Sequence, residues 1–99
     1  MLIAIVLVVR VVASPGGFHT IYFFSDTGID YTHPALGGCF GDGCRVFIGR
    51  NFADDREDDE DPIDTCDGHG THVAGIIGAN DGKVVGVAPE GMLPFFITN

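Results

Sequence analysis

The stretch Asp67-Gly68-His69-Gly70-Thr71-His72-Val73-Ala74-Gly75 limits this chain more than any other. From Gly68 to Ala79 small and apolar residues recur at helical spacing, with Val73, Ile76 and Ile77 as the bulkier members and Asn80-Asp81-Gly82 as a stop. Gly70, Ala74 and Gly75 carry almost no side-chain bulk, which suits a helix packed tightly on a sheet. His69 opens this helix between two glycines, where backbone or a bound molecule can approach its ring. A helix N-terminus disfavours a positive imidazolium, so turnover through His69 calls for a carboxylate nearby. His72, one turn further, reads as packed or hydrogen-bonded within the fold.

Asp26 is the natural source of that carboxylate. His19 to Ser25 is dominated by Ile, Tyr and Phe with no helical period, which reads as a strand. Its near-continuous apolarity suits burial on both faces, as in a parallel sheet. Asp26 closes the strand, and Gly28 lets the chain turn at once without a Cβ clash. Functional groups in open parallel sheets gather at the carboxyl ends of strands. Arg45 to Phe52 reads as a second strand, Val84 to Pro89 as extended chain and Leu93 to Thr98 as a last strand. The order strand, strand, helix, strand favours an α/β layer. Alone, Asp26-Thr27-Gly28 is a strand-ending turn. Beside His69 it supplies two members of a Ser-His-Asp triad, a carboxylate that orients an imidazole and an imidazole that moves a proton.

Ninety-nine residues allow one small domain. The net charge of −9 is local, because nine carboxylates and one arginine lie between Asp54 and Asp67. That run reads as a solvated loop; it lacks the Asp-x-Asp-x-Asp-Gly pattern of a calcium loop, and no cofactor is called for. No basic patch exists for nucleic acid. Met1 to Ala13 is almost wholly apolar but far short of a stable membrane span. Residues 1–14 read as a signal-like hydrophobic segment, with a buried strand or helix as the alternative, and 15–99 as the folded domain. Ser14-Pro15-Gly16-Gly17 marks the boundary. Cys39 and Cys44 flank a glycine-rich turn that a small-loop disulfide fits, and the pairing among Cys39, Cys44 and Cys66 stays open at this level.

Asp26-Thr27-Gly28-Ile29-Asp30-Tyr31-Thr32-His33-Pro34-Ala35-Leu36-Gly37 resembles the aspartate region of subtilisin-like serine proteases (subtilases, peptidase S8). The Asp67 to Gly75 stretch resembles their histidine region, and Val85-Gly86-Val87-Ala88-Pro89 the segment that follows in the same order. Cys66 and Gly37-Gly38-Cys39-Phe40-Gly41 are similar to secreted fungal members. The resemblance implies an endopeptidase acting on proteins or peptides, with Asp26 orienting His69 and His69 deprotonating a serine. It also implies a secreted protein with a three-layer α/β/α fold around a parallel sheet, of which this chain carries the first part.

The chain also departs from the family pattern. Its only serines are Ser14 and Ser25, and neither stands in the Gly-Thr-Ser setting of the family nucleophile. Ser25 adjoins Asp26 on a strand, so their side chains point to opposite faces. Tyr22-Phe23-Phe24 replaces the small β-branched residues usual before the aspartate, which predicts crowding that costs about 1–3 kcal/mol where it occurs. Pro94 falls inside the expected last strand. These departures are read as a truncated piece of a protease, inactive alone and dependent on a partner chain or a missing C-terminal segment. A different class of reading makes the chain a small metal-binding module through Cys66, His69 and His72, with Cys39 or Cys44 completing a zinc site. A Cys66–His69 thiol nucleophile and an aspartic-protease role for Asp26-Thr27-Gly28 are weaker rivals, because neither accounts for the whole histidine stretch.

Overall fold

The computed structural model describes residues 4–14, 17–53, 59–64 and 67–98. Pro15 and Gly16 of the expected boundary, residues 54–58 of the acidic run, Thr65 and Cys66 lie outside the described residues. Among these residues four strands, β1 (Ile5–Ser14), β2 (Gly17–Asp26), β3 (Gly49–Asn51) and β4 (Phe95–Ile97), form one sheet in the order β1-β2-β4-β3. Among the described residues a single α-helix, α1 (His69–Gly78), lies between β3 and β4, and a 3₁₀ turn covers Pro34–Leu36.

The sheet is mixed rather than parallel throughout. β4 runs parallel to both β2 and β3, which suits a connection long enough to hold a helix. β1 pairs antiparallel with β2, from Ile5 opposite Ser25 to Val12 opposite Phe18. The link between these two strands is too short for a parallel crossover, so a hairpin is the available geometry. The valine-rich run of β1 has the β-branched composition that such a strand favours.

Phe24, Ile29, Leu36, Val46, Ala74, Leu93 and Phe95 form the core. Phe24 and Phe95 stack across the β2–β4 pair with ring centroids 5.3 Å apart, and full burial of each is worth about 1.5–3 kcal/mol. Glycines stand opposite Tyr22 of the Tyr22-Phe23-Phe24 run and opposite Phe95, the stacking partner of Phe24. A Cβ on Gly70 would stand 2.7 Å from Phe95 Cζ, and one on Gly91 would stand 2.6 Å from Tyr22 Cε2. Pro94 is tolerated because β4 begins just after it, while its carbonyl still accepts the Phe24 N–H at 3.1 Å.

The far end of α1 is closed by the chain that follows it. Val87 N–H donates to Ile76 O at 3.2 Å, Ala88 N–H to Ile77 O at 2.7 Å and Gly86 N–H to Ala79 O at 2.8 Å. Terminal helix carbonyls lack intrahelical donors, so these bonds complete the C-terminus. Arg45 adds a second tie, with Nε donating to Gly91 O at 2.9 Å and Nη1 to the carbonyls of Gly78 and Ala35. Its burial pulls the guanidinium below the ordinary arginine pKa.

Cys39 and Cys44 form a disulfide, with Cα atoms 5.6 Å apart. It closes the turn next to Tyr31, whose ring stacks on Phe40 at 5.3 Å and whose hydroxyl donates to Asp61 Oδ1 at 2.8 Å. Burial, then the Asp61 hydrogen bond and the charges of Asp61 and Asp30, push the Tyr31 phenol up to about 12. Tyr31 therefore remains a donor through mildly alkaline pH. Loop-closure entropy for so short a ring gives the disulfide roughly 2 kcal/mol. Reduction, or Cys39→Ser with Cys44→Ser, is expected to lower the melting temperature by roughly 10 °C in a chain of this size. An unchanged melt in reductant would show that the turn holds without the crosslink.

Candidate active site

β2 ends on Asp26 and α1 begins on His69, and the core between them brings the two side chains together. His69 Nδ1 lies 2.8 Å from Asp26 Oδ1 and 3.0 Å from Oδ2. Asp26 has no exposed surface, whereas the His69 side chain is 35% exposed. An ionised carboxylate only accepts hydrogen bonds, so it holds the imidazole proton on Nδ1 and leaves the Nε2 lone pair free. This arrangement can take up a proton at Nε2 while the carboxylate stabilises the resulting imidazolium against the helix dipole.

Three acceptors order the mouth of α1. Gly68 occupies the N-cap in a left-handed conformation (φ 84°) and has no side chain to cap with. Asp64 accepts the N–H groups of Asp67 at 3.0 Å and Gly68 at 2.6 Å. Asp67 Oδ1 accepts the His69 N–H at 3.1 Å, and Thr27 Oγ1 accepts the Gly70 N–H at 3.0 Å. The first intrahelical bond, His72 N–H to Gly68 O at 3.0 Å, follows directly. Thr71 Oγ1 in turn accepts the Asp30 N–H at 2.9 Å, a second tie between α1 and the turn after β2.

Thr27, Asp64 and Thr71 are the residues that sequence reasoning passed over. Asp64 alone carried a local signal, an acceptor-rich side chain four residues before a glycine N-cap. The bonds of Thr27 and Thr71 span 43 and 41 residues, and no local pattern announces them.

His72, expected to be packed or hydrogen-bonded within the fold, is exposed rather than packed. The metal-module reading loses its support as well. Cys39 and Cys44 are bonded to each other and offer no thiolate, and His69 Nδ1 is directed at Asp26. Among the described residues no group of three or more His, Cys, Asp or Glu side chains is placed to hold a metal ion. Cys66 lies outside the described residues. Ser25 Oγ is hydrogen-bonded to Thr98 Oγ1 at 2.7 Å. Among the described residues no helix is long and apolar enough to cross a membrane.

Comparison with known proteins agrees with the motif reading. The sequence model of the Subtilase family matches residues 24–94. The chain is 49% identical over 70 residues to the Major intracellular serine protease of Bacillus subtilis (strain 168), covering 69% of this chain and 20% of that protein. It is 41% identical over 77 residues to Subtilisin-like protease 7 of Trichophyton equinum, covering 78% of this chain and 16% of the relative. It is 41% identical over 73 residues to the Minor extracellular protease Vpr of Bacillus subtilis (strain 168), covering 69% and 8% respectively. The chain therefore spans a fifth or less of the length of these relatives, whose names place them both inside and outside the cell. No solved structure matches.

Proposed function

The chain belongs to the subtilase family, and on that premise we propose that it carries the acid–base half of a serine endopeptidase site, with Asp26 orienting His69 and His69 acting as general base. The observation that carries this reading is the contact of His69 Nδ1 with the fully buried Asp26 carboxylate, at 2.8 Å. Nε2 then takes the proton of a serine hydroxyl as its oxygen attacks the scissile carbonyl, and returns it to the leaving amine. The substrate class is proteins or peptides.

The nucleophile in this proposal comes from outside these 99 residues, because neither Ser14 nor Ser25 stands in a Gly-Thr-Ser setting, and Ser25 sits on the strand face opposite Asp26 and is hydrogen-bonded to Thr98. The same reading places α1 and the sheet as two layers of a three-layer α/β/α domain. The face that carries Ser25, Arg50 and Phe96 would take the third. The Cys39–Cys44 disulfide supports an oxidising, extracellular setting.

Two measurements test the proposal together. The isolated chain is expected to leave an unfolded protein substrate uncut, since a base without nucleophile or oxyanion donors retains little catalysis. A hybrid of the Major intracellular serine protease of Bacillus subtilis, with residues 24–94 in place of its matching stretch, is expected to cleave peptide substrates. A hybrid that folds and secures substrate but shows no hydrolysis would overturn the assignment.

A further inference from the structure

Thr27 touches both halves of the pair. Its N–H donates to Asp26 Oδ1 at 2.7 Å, the same oxygen that lies 2.8 Å from His69 Nδ1. Its hydroxyl accepts the N–H of Gly70, the residue directly after His69, at 3.0 Å. A closed ring results, running from the Asp26 carboxylate through the imidazole and the backbone of His69 and Gly70 to the Thr27 hydroxyl, and back through the Thr27 N–H.

The N-cap offers no side-chain acceptor for the Gly70 N–H. A helix normally satisfies the N–H two or three residues past its N-cap with the N-cap side chain, and here the N-cap is Gly68. That duty at Gly70 falls to a residue 43 positions upstream. The position of the first helical turn, and of the imidazole it bears, is thereby referenced to the end of β2. We infer that Thr27 is a positioning residue for the Asp26–His69 pair, a helix cap supplied from another element that sets the separation of carboxylate and ring. This inference rests on the proposed acid–base reading of the pair.

The readout is the His69 Nδ1 proton, observed by NMR in the full 99-residue chain. Held against Asp26, it is expected to resonate well downfield of the amides and to exchange slowly with water. Thr27→Val keeps the β-branched shape and the backbone N–H but removes the acceptor for Gly70, and the downfield signal is expected to be lost. Thr27→Ala reads the same loss without the added methyl, should valine disturb the fold. Thr27→Ser is expected to restore the signal. Thr71→Val serves as the structural control, since it removes a comparable hydroxyl acceptor between α1 and the turn after β2 and is expected to lower the melting temperature while the signal stays. Retention of the signal in Thr27→Val and Thr27→Ala, or its equal loss in Thr71→Val, would overturn the positioning role alone. Absence of the signal from the unaltered chain would overturn the pair reading and this inference with it.

Discussion

His69→Ala, made in the active hybrid, is expected to lower kcat by about 10⁴-fold or more, the order of cost met when triad enzymes, subtilisin among them, lose a member that acts with the others as a unit. The KM should move little, because the ring is only part-exposed at the site and the loss falls on proton transfer. Asp26→Asn is the sharper of the two tests, and its expected loss is also about 10⁴-fold. Asparagine has nearly the same shape and keeps an oxygen for the Thr27 N–H, which Asp26 Oδ1 now accepts at 2.7 Å. Its amide N–H₂, however, takes the place of Oδ2, 3.0 Å from His69 Nδ1, and donates where the carboxylate accepted. The imidazole proton then moves to Nε2, and the atom that should take the serine proton is already occupied. A shape-conserving change thus removes the base without emptying the site. Near-normal hydrolysis in either variant would show that this pair does not carry the reaction.

That pair was legible in the sequence because each member sits at an element boundary with a strong local signature. Asp26 follows an apolar run and precedes a glycine turn, and His69 stands between glycines at the head of a small-residue helix. The observed limits, β2 ending on Asp26 and α1 starting on His69, agree with that reading. The hairpin partner β1 was not legible in the same way. A continuous run such as Ile5-Val6-Leu7-Val8-Val9 has no period, so it fits a leader, a buried helix or a strand equally well. The strand pairing with β2 rests on a partner that the run itself does not announce. Arg45 illustrates a second limit. Its hold on Gly78, Ala35 and Gly91 joins segments remote in sequence through backbone carbonyls, which bear no residue-specific signal at all. The hydroxyl of Thr27 falls in the same class.

Gly70→Ala is expected to be the most damaging single-methyl substitution in the helix, and Gly75→Ala the benign control one turn further on. Both positions lie inside α1, where alanine is intrinsically better than glycine by about 1 kcal/mol. Propensity alone therefore predicts two stabilised variants. Packing decides otherwise at Gly70. A Cβ there would overlap the Gly28 carbonyl oxygen and stand 2.7 Å from Phe95 Cζ and 3.1 Å from Gly28 N, whereas at Gly75 nothing lies within 4 Å. The obstacle at Gly70 is mostly backbone, and Gly28 is itself held at φ 127° against Asp64, so it has no side chain to swing aside. Overpacking that flexible side chains can absorb costs about 1–3 kcal/mol, and a clash against fixed backbone belongs at or above the top of that range. The net loss at Gly70 is roughly 2 kcal/mol or more after the propensity gain, or about 10 °C in melting temperature for a chain of this length. Relief of the clash requires α1 to lift from the end of β2, which lengthens the Gly70 N–H to Thr27 contact and draws the imidazole from Asp26. Thermal melts of the two variants should therefore move in opposite directions, and the His69 Nδ1 proton signal should weaken in Gly70→Ala only. Equal stabilisation of both would mean that the helix does not rest on Phe95 and Gly28 as closely as the 2.7 Å and 3.1 Å approaches require.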